Sequence, residues 1–214
     1  MPRILIVRHG LTEWNIDRRI QGVTDTKLSD LGQRQAVALG RRMAGEYIGA
    51  IYSSPLKRAW HTACEVAKHH DLAPVPEPRL REISFGEWEG QSFPQLRAQN
   101  PELMANWFAD PYSYTPPGAE SMTDIVARLT SLLDELRQRP DEETIMLVTH
   151  GATTGVMACL VLGLSPGRRW NMRFDPTGVT EVGLFPDVSV LNLLNDRHHL
   201  SPMLRHQDGR KIMV

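Results

Sequence analysis

Residues 4–10 read Ile4-Leu5-Ile6-Val7-Arg8-His9-Gly10, and residues 145–151 return to the same pattern as Ile145-Met146-Leu147-Val148-Thr149-His150-Gly151. Each is an unbroken aliphatic run closed by an imidazole and a glycine. Four apolar residues in succession, without polar alternation, predict a parallel strand buried on both faces. The histidines then stand at the carboxyl ends of two such strands. A third short strand is predicted at Ala50-Ile51-Tyr52-Ser53. Ser54 followed by Pro55 has the signature of an N-cap and first helical position, with the helix running towards His70 and Arg58 on its first turn.

Outward from these runs, strands and helices alternate. A polar loop rich in turn residues extends through Asp25, and a helix starts near Ser29 with Leu31, Ala38, Leu39 and Met43 on one face. Pro74 to Pro78 reads as an extended connector. Segment 91–118 holds Pro94, Pro101, Pro111, Pro116 and Pro117, with Trp107, Phe108, Tyr112 and Tyr114 between them, which predicts short helices and a loop. Ser121 with Asp124 resembles a capping box. Ile125, Leu129, Leu132, Leu133 and Leu136 follow at amphipathic spacing. A further helix is expected from about Thr153, then strands over 179–185 and 188–194 joined by Pro186-Asp187 as a hairpin. The fold class is α/β: a three-layer α/β/α sandwich around a mostly parallel mixed sheet. No linker divides it, so one domain is expected over residues 1–200, with a polar C-terminal tail over 201–214.

Composition narrows the function classes. The 214 residues are 41% apolar and 23% charged, which excludes wholesale disorder and fibrous or collagen-like repeats. With 24 Lys+Arg against 25 Asp+Glu the formal charge is −1, and no nucleic-acid partner is expected. From Thr144 to Gly167 there is no charged residue, in imitation of a membrane span. Thr149, His150, Gly151, Thr153, Thr154 and Gly155 crowd its middle, however, so a buried strand, turn and helix explain it better. The apolar run after Arg3 is too short for a signal-peptide core. Cys64 and Cys159 lie in separate predicted helices without a zinc-ligand spacing. A cytoplasmic protein with no membrane partner is the expectation.

In open α/β sheets, ligands bind beyond the carboxyl ends of strands, where helix N-termini offer free N–H groups to anions. Arg8, His9, Arg58 and His150 could therefore converge there. Two guanidiniums present forked donors suited to phosphate oxygens. A metal fits poorly, because the cations repel it and no carboxylate accompanies either His-Gly. An unprotonated imidazole beside a neutralised phosphoryl group can act as nucleophile. Residues 81–90, Arg81-Glu82-Ile83-Ser84-Phe85-Gly86-Glu87-Trp88-Glu89-Gly90, supply carboxylates amid apolar residues, where a raised pKa would suit a proton donor.

Arg8-His9-Gly10-x-Thr12-x-x-Asn15, Ser53-Ser54-Pro55-x-x-Arg58-Ala59, Glu82-x-x-x-Gly86-x-x-Glu89-Gly90 and Thr149-His150-Gly151, in this order, resemble the motifs of the histidine phosphatase superfamily, the phosphoglycerate mutase-like group. Leu194-Asn195-Asp196 with His199-Leu200 resembles the ending of its short phosphatase members. The resemblance implies that His9 becomes phosphorylated and that Arg8, Arg58 and His150 clamp the phosphoryl oxygens. It implies that Glu82 serves as acid and then base; Glu87 and Glu89, the other carboxylates of the segment, are the next candidates on the residues alone. It also implies that Asn15, Gln21, Gly22 and Gly151 line the phosphate pocket, with no metal or cofactor. Leu11 departs from the usual Glu or Gln. The implied activity is hydrolysis of a small-molecule phosphomonoester through a phosphohistidine. The rival is a bisphosphoglycerate-dependent mutase, and further off a non-catalytic phosphate-binding module. Sugar phosphates, phosphoglycerate derivatives, phosphoserine and ribazole phosphate all remain open as substrates, as does a homo-oligomer.

Overall fold

The two aliphatic runs lie side by side in the middle of a six-stranded sheet. The computed structural model describes residues 2–205. Its elements are β1 (Arg3–Arg8), α1 (Glu13–Ile16), α2 (Asp30–Met43), β2 (Ala50–Ser53), α3 (Lys57–Ala67), β3 (Val75–Pro76), α4 (Phe93–Gln99), α5 (Pro101–Ala109), α6 (Met122–Arg137), β4 (Thr144–Thr149), α7 (Gly151–Val161), β5 (Val179–Leu184) and β6 (Ser189–Asp196). The strand order is β3-β2-β4-β1-β5-β6. β1, β2, β3 and β4 run parallel, and β5 and β6 join antiparallel, giving the mixed sheet expected.

Register decides where the chemistry gathers. Val7 lies opposite Val148, and Ser53 opposite Val148 on its other side. The three strands therefore end level, and the ladder continues for one bond past them. His9 N–H donates to Thr149 O at 2.9 Å, and Ser54 N–H to Val148 O at 2.9 Å. His9, Ser54 and His150 leave the sheet at one edge.

Alternation along the strands supplies both outer layers. Ile4, Ile6, Ile145 and Leu147 pack with Ile125, Leu129, Leu132 and Leu133 of α6 and with Val156 and Met157 of α7. Leu5, Val7, Met146 and Val148 pack with Leu39 and Met43 of α2 and with Ala59, Ala63 and Val66 of α3. Each fully buried side chain of the Leu, Ile, Val or Met type contributes about 1.5–3 kcal/mol relative to exposure. This is the three-layer sandwich.

Several local expectations are corrected. α3 starts at Lys57, with Leu56 at the N-cap and no side-chain cap, because leucine has no acceptor; the Ser54 hydroxyl, two residues earlier than a cap would stand, accepts from Leu56 N at 3.3 Å and also meets His150 Nε2. α7 starts at Gly151 rather than Thr153, with His150 itself at the N-cap. The buried face of α2 carries Gln35, Ala36, Leu39 and Met43, while Leu31 and Ala38 are only half-buried. Ser121 accepts from Asp124 N, but its hydroxyl donates to the Asp124 carboxylate at 2.6 Å, so the reciprocal half of the capping box is absent. Within the loop expected before Asp25, Thr12 and Asn15 cap the short helix α1 reciprocally. Val75–Pro76 in the expected connector pairs with β2 as an edge strand.

Segment 91–118 forms α4, α5 and a loop, as expected. Trp107 of α5 packs edge-on against Phe85, Trp88, Phe108 and Trp170. The buried guanidinium of Arg169 lies 4.8 Å from the Trp107 ring centre and 4.6 Å from that of Trp170. The segment is thereby fastened to Phe85 and Trp88, on the stretch that follows Glu82, and to Arg169 and Trp170. Of the expected tail, residues 201–205 fold back, with Gln35 Nε2 donating to Leu204 O at 2.9 Å, and residues 206–214 lie outside the described residues. Among the described residues no helix is long and apolar enough to cross a membrane.

Candidate active site

His9 is buried at the end of β1, with Nδ1 2.7 Å from its neighbour's carbonyl, Gly10 O. A carbonyl only accepts, so Nδ1 carries the hydrogen and Nε2 the lone pair. Burial first, then the cations Arg58 and Arg8, hold the imidazole well below its ordinary pKa, against the bond to Gly10. It is neutral at pH 7, as a nitrogen nucleophile must be.

The ring of His150 stands 5.1 Å from that of His9, centre to centre. Arg58 Nε donates to His150 Nδ1 at 3.2 Å, which leaves Nε2–H to donate to Ser54 Oγ at 2.7 Å. Burial, then Arg58, His9, Arg8 and Arg128, keep His150 neutral as well. Its one N–H is engaged by Ser54 Oγ.

Arg58 is fully buried. Burial lowers its pKa to about 10, opposed by the charges of Glu82, Asp25 and Glu89, and it stays cationic at neutral pH. Its Nη1 donates to Thr24 O at 2.8 Å and its Nη2 to Gly22 O at 2.7 Å, so the fork is held by loop carbonyls while Nη2 keeps a second hydrogen. Arg8 is anchored by Nη1 to Phe174 O at 2.7 Å. A Cβ on Gly151 would lie 3.3 Å from Arg8 Cζ and Nε, so this glycine makes room for the guanidinium.

Glu82 does not lie in the apolar surroundings expected for it. Ile83, Phe85 and Trp88 turn into the core, while its carboxylate meets the first turn of α7. Oε1 accepts from Ile83 N at 3.0 Å, Thr153 N at 3.0 Å and Thr153 Oγ1 at 2.9 Å. Oε2 accepts from Ala152 N at 3.2 Å. Two backbone N–H groups fix Oε1, with the Thr153 hydroxyl sharing its hydrogen between Oε1 and Arg81 O at 2.8 Å, and Oε2 is the freer atom.

Arg8, His9, Arg58, Glu82, His150 and Gly151 are thus brought together, and Gly22 joins through its carbonyl. Asn15 and Gln21 are not in hydrogen-bond contact with them. Asn15 Oδ1 accepts from Thr12 N at 3.2 Å, and Gln21 Oε1 accepts from Thr26 Oγ1 at 2.6 Å beside Thr12 Oγ1. Leu11, 1% exposed, is a core residue, so the departure from Glu or Gln leaves no gap at the pocket edge. Sequence reasoning missed Ser54 as the partner of His150 and Thr153 as the partner of Glu82. Ser54 was visible in its motif, but the Ser-Pro pair reads locally as a helix cap.

His199 is half-buried. Arg42 Nη1 lies 3.3 Å from its Nδ1, and its Nε2 lies 3.1 Å from Thr177 Oγ1. Burial, reinforced by Arg42, Arg197 and Arg205 and opposed by Asp196, lowers its pKa to about 4. Between pH 6.5 and 4 the unfolded chain takes a proton here that the folded chain refuses. Stability is therefore full above pH 6.5 and falls on acidification, by up to about 1.4 kcal/mol per pH unit for a wholly buried histidine and less for this one. His9 and His150 act with the same sign. His199→Gln is expected to flatten part of the decline in melting temperature between pH 7 and pH 4.5. A decline as steep as in the wild type would show that His199 takes its proton normally.

The histidine phosphatase superfamily (branch 1) model matches residues 4–197. The chain belongs to this superfamily. A phosphoserine phosphatase 1 from Hydrogenobacter thermophilus is 32% identical over 200 residues, covering 94% of this chain and 95% of its own. A probable phosphoglycerate mutase from Yersinia pestis is 34% identical over 182 residues, 85% of either chain. Among solved structures, mycobacterial glucosyl-3-phosphoglycerate phosphatase in complex with VO3 superposes with a TM-score of 0.83 at 30% identity, covering 91% of this chain and 99% of that one. Like its relatives named as phosphatases, this histidine phosphatase is a phosphoric monoester hydrolase acting on small phosphomonoesters.

Proposed function

We propose that hydrolysis proceeds through a phosphohistidine on His9. The observation that carries this reading is the neutral His9 with its Nε2 lone pair free, set beside two buried guanidiniums at the edge where Glu82 meets α7. His9 Nε2 attacks phosphorus in line with the departing oxygen. Arg8 and Arg58 bind the equatorial oxygens, whose charge is the main object of catalysis in phosphoryl transfer, with His150, held between Arg58 Nε and Ser54 Oγ, lining the same pocket. A phosphate dianion beside Glu82 favours its protonated form, since two like charges oppose one another. Oε2 gives that proton to the leaving oxygen, then takes one from the water that cleaves the phosphorus–nitrogen bond. Asn15, Gln21 and Gly22 shape the loop at the pocket's edge.

Phosphoserine and glucosyl-3-phosphoglycerate, which the relatives' names give as substrates, are both small, polar and carboxylate-bearing, and the same class is proposed here. The test is a panel of phosphoserine, 3-phosphoglycerate, sugar phosphates and p-nitrophenyl phosphate assayed for released phosphate, with 3-phosphoglycerate isomerisation followed in parallel. Phosphate release is expected to dominate. Isomerisation faster than release would make the chain a mutase, and no turnover of any ester would leave it a binding module.

A further inference from the structure

Glu89 was the reserve candidate for the acid, and the structure assigns it a different task. Its Oε1 accepts from Val23 N at 3.0 Å and from Phe85 N at 3.1 Å. Its Oε2 accepts from Thr24 N at 2.9 Å and from Thr24 Oγ1 at 2.5 Å. One carboxylate thus ties the loop at residues 23–24 to the backbone three residues beyond Glu82. Neighbouring Gly22 bears this out independently. It has a φ of +53°, and a Cβ there would fall 1.9 Å from Glu89 Oε1 and 2.4 Å from Cδ. Position 22 has no side chain because the carboxylate occupies that space.

The opposite side of the same loop faces Arg58, whose Nη2 and Nη1 donate to Gly22 O and Thr24 O. The loop is held between an anion that takes its N–H groups and a cation that takes its C=O groups. The guanidinium also donates from Nε to the imidazole of His150 at 3.2 Å and, more weakly, from Nη1 to Thr26 Oγ1 of the same loop at 3.5 Å. The plane of the guanidinium is therefore set by where the loop places two carbonyls, and Glu89 sets the loop. Both Glu89 oxygens are filled by donors, so neither is poised to exchange a proton with substrate. We propose that Glu89 is a positioning residue: by fixing residues 22–24 it orients Arg58 for the phosphoryl group, without touching substrate itself.

The inference rests on Arg58 acting on the phosphoryl group, and a double-mutant cycle separates the two claims. Arg58→Lys keeps the charge and loses the planar fork, so kcat/KM should fall at least about tenfold. Near-normal kinetics there would remove Arg58 from the site, and the Glu89 proposal with it. Glu89→Gln places an amide donor against N–H groups. It should raise KM and the inhibition constant of inorganic phosphate about tenfold, by the same factor for p-nitrophenyl phosphate and phosphoserine. In the Arg58→Lys background the same change should add less than about threefold, because the orientation it disturbs is already lost. Fully multiplicative losses would overturn the proposal, as would a loss confined to phosphoserine, which would mark Glu89 as a proton donor. If Glu89→Gln does not fold, Thr24→Val removes one of the four bonds and leaves the carboxylate. It should weaken phosphate inhibition in the same direction, and unchanged inhibition would equally overturn the proposal.

Discussion

Replacing His9 with alanine is expected to lower kcat by at least about 10⁴-fold, or about 5.5 kcal/mol of activation free energy, while leaving a folded protein. The imidazole sits at the end of β1, past the last residues of the paired strands, and its polar contact is a bond to its own neighbour's carbonyl, Gly10 O. Its removal deletes the attacking atom more than any packing. Wild-type enzyme quenched with base during turnover should carry phosphate in a base-stable bond that acid then releases, the behaviour of a phosphoramidate. Phosphate found on a serine or a carboxylate would overturn the mechanism. So would single-turnover rates for the alanine variant close to those of the wild type.

For Glu82→Gln the expected loss depends on the leaving group. Glutamine keeps an oxygen where Oε1 accepts its donors, so the local fold is retained. It changes the atom at Oε2, the position with a single 3.2 Å contact to Ala152 N. Phosphoserine expels a strongly basic alkoxide that needs a proton, whereas p-nitrophenolate leaves without one. Phosphorylation of His9 should slow by about 10²–10⁴-fold with phosphoserine and by less than about tenfold with p-nitrophenyl phosphate. Hydrolysis of the phosphohistidine retains no leaving group, so the lost base should slow it equally for both. Single-turnover measurements that resolve the two steps are required, because slow hydrolysis masks the contrast in steady state. Equal slowing of the first step would remove Glu82 from the acid role.

What the sequence disclosed and what it hid follow from the range of the forces involved. The strands bearing His9 and His150 were legible because four consecutive aliphatic residues have few solutions other than a doubly buried strand. The sandwich followed from their alternation with helices. Arg58 was legible as a motif member, yet its helix start was misplaced, since Ser54 looks like a cap until its partner 96 positions away is known. Glu82 was misread for the same reason. Ile83, Phe85 and Trp88 are its neighbours in sequence, but the first turn of α7 is its neighbour in space. His199 was legible only as part of the chain's family-like ending, and its burial was not, because Arg42 and Thr177 reach it only through the tertiary fold.

The pairing of β1 with β4 also constrains how the protein comes into being. Arg3 lies opposite Thr144, so the central ladder closes only after most of the chain has been synthesised. Such distant parallel contacts repay their loop-closure entropy late and form slowly. Until β4 is available, β1 lacks its central partner, and an unpaired aliphatic strand of this kind is prone to aggregate. On refolding, recovery of activity should coincide with completion of the central sheet, with no earlier species that is partly folded and already active.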